Sequence, residues 1–524
     1  MSLFDFFRGN NGTAQVSASS GASMPKFSRI GGGGNLGRGF GTATGALAAA
    51  DADRLTTGWT TTPVSPYFLV EHCWQPVCAR GREAARNKPH AKKFLRLCTT
   101  NVIGHKGMQI SPAVSYNGKA DTLAREALKS AFADWGKDPE VTGLYSWHEL
   151  EKLVMRTVAT DGEIFIRKLR GKGFGKYRYQ LQAIDPTRVP VNLKKELSNG
   201  NRIFAGIEYT PYGRPVAYYV VNEDPHYMHG VTSYQEATRV SAEDMIHLFA
   251  AEMIGQKRGF SWLAGSLPQM HHLDKYTEAS IVNARVGASK QGFFELDPDK
   301  VDLPDEDDDA EDIPMDAEPG TFDVLPVGYK FAEWSPQFPQ GEYQQFITTN
   351  LHIIAADLGV SYASLSGDLS QVNFSSIRAG VLPEQDFWMD VQEWLKDRFY
   401  SVVYRDWVEQ AVLHKTIRIG TTPLKIERID QYEQAKYNGR RWKYVDPIKE
   451  VNAERLQHKG MLKSISQTIR ERGDEPEEVF KEIAEDIERV AKEIGVSSEA
   501  AAVLLGFVVN KGKPNDNTSQ TNKS

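Results

Sequence analysis

The sequence predicts an α+β protein whose strands are confined to the first half of its ordered chain. Helical and alternating apolar patterns interleave between Pro66 and Phe249. Two amphipathic segments of helical period then bracket a polar excursion, and everything after Asp446 has helical period.

The first sixty or so residues, with Gly31 to Gly34 and an Ala- and Thr-rich stretch near Thr42 to Ala50, lack apolar periodicity and read as a flexible arm. A Gly-x-Gly-x-x-Gly match at Gly32, Gly34 and Gly37 falls inside this arm. It has neither the preceding strand nor the following helix that a dinucleotide site needs. Order is expected from about Pro66. Trp147, Leu150, Leu153, Val154 and Val158 recur at helical spacing over Ser146 to Thr160, and Asp161-Gly162 turns the chain into the alternating run Glu163 to Arg167. Further strands are expected at Tyr177 to Ile184, Ile203 to Tyr209 and Val216 to Val221.

From Leu263 the period changes. Leu267, Met270, Leu273, Tyr276 and Ile281 form one stripe, with Asp274, Lys275 and Glu278 on the other side. A second stripe holds Tyr343, Ile347, Leu351, Ile354 and Leu358, with Gly359 placed to end it. Between these helices lies an acidic, proline-bearing stretch from Asp297 to Pro326. A third helical region follows Asn373-Phe374-Ser375-Ser376 through Phe387, Trp388, Trp394 and Phe399, and Pro383 either kinks it or marks its true start. Trp388 and Trp394 are read as core. Asp446-Pro447 opens a helix that Gly460 ends, and Val479, Ile483, Ile487, Val490 and Ile494 line another up to Gly495.

Composition bounds the function. The 524 residues carry 62 Lys plus Arg against 68 Asp plus Glu, a net charge of −6, which excludes a polycationic nucleic-acid binder. One segment sets that sign: Asp297 to Glu318 holds twelve acids and one base, so the rest of the chain is near +5. No apolar run approaches the roughly 18 residues that a membrane helix requires. Three cysteines, Cys73, Cys78 and Cys98, are an odd count that points to reduced thiols in a cytoplasmic setting. No cofactor and no metal site is expected: Gly-Lys pairs lack the Ser or Thr of a phosphate loop, and the acidic cluster lacks the Gly and Glu spacing of a calcium loop. His271 and His272 have no histidine one turn away, which makes them surface or interface residues. Nothing points to an enzyme. The basic run Arg80, Arg82, Arg86, Lys88, Lys92, Lys93 and Arg96 is suited either to phosphate contact or to subunit ion pairs. The same choice stands at Arg440, Arg441 and Lys443 around Trp442, where the structural role is favoured.

Three blocks carry a resemblance. Gly255-Gln256-Lys257-Arg258-Gly259-Phe260-Ser261-Trp262-Leu263-Ala264, followed by Tyr276-Thr277-Glu278-Ala279 and Asn283-Ala284-Arg285, resembles the central signature of lambda-family tailed-phage portal proteins. So do Leu351 to Tyr362 with Leu365 to Arg378, and Trp442 to Ala453 around Val445-Asp446-Pro447. The resemblance covers roughly residues 66–500.

It implies a portal-type subunit with an α+β wing, long stem helices, a small mixed clip and an all-helical crown, assembling into a ring that is commonly a dodecamer. The division it implies is an arm at 1–58, the wing at 59–262, a first stem helix at 263–292 and the clip with its acidic insertion at 293–340. A second stem helix at 341–360, a tunnel loop at 361–376, a wing helix and return at 377–444, the crown at 445–510 and a disordered tail at 511–524 follow. Such rings sit at one capsid vertex of the virion after assembly in the host cytoplasm. The implied partners are double-stranded DNA bound without sequence preference, terminase, the major capsid protein and scaffold, and the head-to-tail connector. A different ring-forming adaptor is the alternative.

On this division Ser366, Gly367, Ser370, Gln371, Asn373, Phe374 and Ser375 would face the DNA. Asp305, Glu306, Asp307, Asp308 and Asp309 would be the partner-docking clip, and Arg80, Arg82, Arg86, Lys92 and Lys93 a subunit-interface or phosphate contact. Small, mostly uncharged loop residues suit passage, because each lysine neutralising a phosphate would add to a salt-dependent brake.

Overall fold

The computed structural model describes Thr60 and residues 62–116, 118–221, 237–288, 292–296, 329–333, 342–370, 374–442, 447–472 and 476–506. Residues from Val64 onward form one unit.

Helix α1 (Pro66–Asn87) starts where Ser65 accepts from the Tyr67 N–H with Pro66 in the first turn. It passes through Lys88 into α2 (Pro89–Cys98), which continues as a π-helical turn at Thr99–Ile103. Three short strands, β1 (Gln109–Pro112), β2 (Ser115–Tyr116) and β3 (Lys119–Ala120), precede α3 (Thr122–Trp135). Helix α4 (Trp147–Asp161) is specified at both ends. Ser146 and Glu149 close a capping box, and Gly162, at φ 95°, stops it in the left-handed conformation.

The chain then runs β4 (Glu163–Arg170), β5 (Tyr179–Ile184), β6 (Lys195–Glu196), β7 (Arg202–Phe204), β8 (Ile207–Tyr209), β9 (Pro215–Val221), β10 (Ala237–Ser241) and β11 (Met245–Phe249). The run expected as one strand over Ile203 to Tyr209 is thus a hairpin. Ala205 and Gly206, at φ 49° and 77°, reverse the chain, so that Phe204 pairs with Ile207. Two antiparallel sheets result, ordered β10-β9-β8-β7-β6 and β11-β4-β5.

Helix α5 (Leu267–Ala288) leads into β12 (Gly292–Leu296), which pairs antiparallel with β13 (Tyr329–Glu333), and α6 (Glu342–Asp357) returns. A short helix, α7 (Tyr362–Ser366), interrupts the loop expected over 361–376, and α8 (Phe374–Leu395) begins before that loop was expected to end. Pro383 lies inside α8, which passes through a π-helical turn at Lys396–Tyr400 into α9 (Ser401–Leu413). The remaining elements are β14 (Arg418–Ile419), β15 (Thr422–Pro423), α10 (Ile429–Tyr432), β16 (Ala435–Asn438), α11 (Pro447–Lys459), α12 (Ile465–Glu471), α13 (Pro476–Ile494) and α14 (Ser498–Leu504). Strand β16 pairs with β1.

The main core joins α2, α4, α8 and α9 to the three-stranded sheet and to the near ends of α5 and α6. It is dense in aromatic rings: Phe132 meets Trp135, Trp147, Tyr404 and Trp407 at centroid separations of 5.0 to 5.9 Å. Trp388 is buried as expected, whereas Trp394 is half-buried against the core edge. A second cluster, around Phe165, Ile207 and Tyr218, lies under the five-stranded sheet.

Candidate functional site

The block Gly255 to Ala264 is where the sheets hand over to α5, and its residues are consumed in holding that junction. Arg258 is fully buried. Its Nε donates to Glu163 Oε1 at 2.6 Å, Nη1 to the carbonyls of Val189 and Ala205 at 3.0 and 2.8 Å, and Nη2 to that of Pro186 at 3.1 Å. The guanidinium lies over the rings of Trp74 and Phe165. Glu163 Oε2 accepts from the Gly259 N–H at 3.0 Å and from His247 Nε2 at 2.9 Å.

Burial pushes the Glu163 carboxyl up, but Arg258 and then His247 outweigh it and leave the group below its ordinary value. Burial holds His247 below its ordinary value, so the ring is neutral with the proton on Nε2. Gly259 and Gly162 press backbone to backbone, and a Cβ on Gly259 would lie 2.0 Å from the Gly162 oxygen. Lys257 caps the Gly213 carbonyl and covers the Tyr209 ring. This block is therefore a keystone rather than a contact surface.

From that junction α5 and α6 project as an antiparallel pair. Ser266 meets Asp357, Gln269 meets Asn350, and Tyr276 stacks on Tyr343 and meets the Phe346 ring at a tilt, so contacts on α6 move backwards as those on α5 advance. Beyond them the β12/β13 hairpin pairs Leu296 with Tyr329. The acidic segment, with Asp305, Glu306, Asp307, Asp308 and Asp309, connects those two paired residues and lies outside the described residues.

Helix α6 has two distinct long faces. Tyr343, Gln344, Ile347 and Thr348 line a groove of about 840 Å³, shared with His90, Leu273 and Tyr362. At 100° per residue, the exposed stripe of Gln345, Phe346, Thr349, His352, Ile353 and Ala356 points about 165° away from that groove. None of these six is Lys, Arg, Asp or Glu, and Glu342 at the start of the helix falls at the same angle.

The predicted site residues are distributed as follows. Ser366 ends α7, donating to the Tyr362 carbonyl at 2.8 Å and accepting from the Asp368 N–H at 3.1 Å. Gly367 caps that helix at φ 76°, where a side chain would be strained. Ser370 is exposed, and its N–H donates to Asp368 Oδ1 at 2.9 Å. Gln371 and Asn373 lie outside the described residues, and Phe374 and Ser375 form the first turn of α8. Sequence reasoning passed over Asp368, the one charged residue here. The Ser370 N–H and the Tyr362 hydroxyl hold its carboxyl below the ordinary range.

The basic run divides. Arg82 is fixed by Asp161 at 2.7 Å and by Asp185 at 2.8 Å, which raise its guanidinium further; its place is internal, between α1, α4 and the turn after β5. Lys88 is buried and donates to Asp274 of α5 at 2.5 Å. Arg80, Arg86 and Lys92 are exposed, Lys93 is half-buried, and none of these four makes an ion pair among the described residues. Arg440 and Arg441 are engaged too, with Asn101 and Gln392, while Trp442 Nε1 donates to Asn101. Cys78 and Cys98 are buried and all three thiols are free; burial raises the Cys78 thiol to about 12. Among the described residues no His, Cys, Asp and Glu side chains gather as a metal-ligand set, and no helix is long and apolar enough to cross a membrane.

A profile for "Phage portal protein, lambda family" matches residues 52–392, which takes in the keystone, the projecting pair and most of α8. The chain belongs to the lambda family of phage portal proteins. Relatives agree across nearly its whole length. A "Probable portal protein" of Halomonas phage phiHAP-1 is 30% identical over 484 residues, covering 91% of this chain and 92% of that one. "Portal protein B" of Escherichia phage lambda is 23% identical over 470 residues, covering 81% and 86%. Among solved structures, the neck of a native gene transfer agent particle computed with C12 symmetry overlaps at TM-score 0.39 with 12% identity, covering 77% of this chain and 94% of that one. The neck of an empty particle computed with C6 symmetry gives 0.40 with 13% identity, covering 80% and 98%.

Proposed function

We propose that this lambda-family portal protein is the repeating subunit of a ring at one capsid vertex of the virion, through which double-stranded DNA is packaged and later ejected. Twelve copies of 58.6 kDa would weigh about 700 kDa. The observation that carries the reading is α6. A closed ring of identical subunits needs two unlike, oppositely directed faces on each one, and α6 presents a groove on one side and a stripe of six exposed, uncharged residues on the other.

In this reading residues 66–262 are the wing, α5 and α6 the stem, β12 and β13 with their acidic connection the clip, and α11 to α14 the crown. The acidic clip residues Asp305 to Asp309 dock terminase during filling and the head-to-tail connector afterwards. Major capsid protein and scaffold meet the assembling ring, which nucleates the procapsid in the host cytoplasm. The loop around Ser366 to Ser375 is the DNA-facing contact. Its serines and amides touch phosphate without holding it, and Asp368 repels it. Arg80, Arg86, Lys92 and Lys93 supply one side of a subunit contact. The chain works as a conduit and docking ring, and a separate motor hydrolyses ATP.

Imaging of the purified chain tests the reading, since rings with a channel wide enough for a duplex are expected. Deleting Ser366 to Ser375 should leave those rings intact and impair DNA retention. Particles that package and retain genomes normally after the deletion would remove the loop from the DNA path.

A further inference from the structure

The carboxyl-terminal helices lack a core of their own. Among the described residues of 447–506, Thr468, Pro476 and Ala501 are the buried ones. In α13, Val479, Phe480, Ile483, Ile487, Val490 and Ile494 fall within about 100° of one another around the helix, yet none is buried. Ile448, Leu456 and Ile465 are exposed on α11 and α12, and Met461 and Leu462 between them are 94% and 82% exposed. One ion pair, Arg125 with Glu477 at 2.8 Å, ties α13 to α3. Apolar surface on this scale marks an interface.

Charge identifies the occupant. Residues 447–472 carry six Lys or Arg and three Glu, net +3, whereas 476–504 carry eight acids and three bases, net −5. Some of these charges pair locally, as Lys463 does with Glu471 and Arg489 with Asp486. Arg455 and Lys459 on α11, and Glu485 and Glu488 on α13, are exposed and have no ion-pair partner among the described residues. Each chain thus presents one basic and one acidic helical surface, both next to uncovered apolar side chains. A second copy of the same chain, related by rotation, offers the complement of each.

We infer that these helices form a head-to-tail interface of their own, in which the basic α11–α12 surface of one copy docks on the acidic α13 surface of the next and covers the apolar residues beside it. The inference rests on the ring reading and adds a second band of subunit contact, separate from α6.

Charge reversal on exposed positions tests it without disturbing helix packing. Glu485→Lys with Glu488→Lys takes α13 from a net of −4 to zero and puts two lysines at its exposed acidic positions, and Arg455→Glu with Lys459→Glu takes α11 from +1 to −3. Each double variant of the full chain should raise the subunit concentration for half-assembly about tenfold at low salt, with unchanged circular dichroism. An equal mixture of the two should assemble like the wild type, because in an alternating ring one interface keeps both original surfaces and the other sets the exchanged lysines against the exchanged glutamates. Wild-type rings alongside variants that assemble at unchanged concentration, or a mixture no better than its components, would overturn this inference alone. A wild-type chain that stays monomeric under every assembly condition would overturn the ring reading together with it.

Discussion

Replacing Arg258 by Met would remove the cation at the centre of the junction between the sheets and α5. Glu163, fully buried, would keep its carboxylate but lose the 2.6 Å partner, the carbonyls of Val189 and Ala205 would lose their guanidinium donor, and that of Pro186 would keep only the Val189 N–H. Breaking a buried pair by deleting one partner costs about 3 to 5 kcal/mol, and each carbonyl left without its charged donor adds to that. Non-additivity within one network holds the total near 4 kcal/mol. Since 1.4 kcal/mol is tenfold, amide-exchange protection at Ile164 and Ile166 of β4 should fall by about a thousandfold.

Glu163→Gln combined with Arg258→Met leaves no orphaned carboxylate. It should therefore recover about 2 kcal/mol, or roughly thirtyfold in protection. Hydrogen-exchange mass spectrometry on the peptide spanning β4 reads both variants. A loss below tenfold for Arg258→Met, or a double variant as damaging as the sum of the singles, would refute the keystone assignment.

Gly259→Ala should cost at least about 3 kcal/mol, because its Cβ would fall 2.0 Å from backbone oxygen rather than from a yielding side chain; soluble yield and melting temperature check it, with Gly173→Ala, where the space is open, as the neutral control. Acidification should destabilise the fold in two windows. His247 stays neutral when folded but gains a proton when unfolded, so stability falls as pH drops below about 6.5. Glu163, with its folded value lowered, adds a second loss below about 4.5. Each slope is at most about 1.4 kcal/mol per pH unit. Urea midpoints between pH 7.5 and 5.5 measure the first window, and His247→Gln should reduce it to the share left by His90, which burial also holds below its ordinary value.

Elements whose ends are written locally were legible. The apolar spacing of α4 over Ser146 to Thr160, the Asp161-Gly162 turn closing it, and the stripe of α6 ahead of Gly359 each needed only neighbouring residues. Reversal at Ala205-Gly206 was hidden because alanine at positive φ is imposed by packing, and π-helical turns at Thr99–Ile103 and Lys396–Tyr400 leave the apolar period almost unchanged. The basic run looked continuous because sequence cannot show which acids arrive from afar. Asp161 and Asp185 take Arg82, and Asp274 takes Lys88. Arg258 is the extreme case. Its partners come from β4 and from two turns some 50 to 70 residues upstream, so a residue that reads as one more surface cation is, with Glu163, a fully buried charge at the centre of the junction.

In the proposed ring a DNA conduit would face opposing demands, since its subunits must grip one another while gripping the duplex weakly. The distribution of charge would suit both. The net of −6 arises because −11 is concentrated between the paired ends of β12 and β13, at the far end of the helical pair from the keystone. The six exposed stripe residues of α6 are uncharged, half of them apolar and half polar, so a neighbour lying against them would be met through apolar contact and neutral hydrogen bonds. Where charge is dense, in the carboxyl-terminal helices, it is divided between a basic and an acidic surface on the same chain. In a ring each would be neutralised by the neighbouring copy rather than by phosphate. Twelve rows of unpaired lysine lining a passage would bind DNA with a steep salt dependence and hold it in place. Lysine and arginine held by carboxylates of the same chain or, as proposed, of the adjacent one would strengthen such a ring and exert little pull on a duplex moving through it.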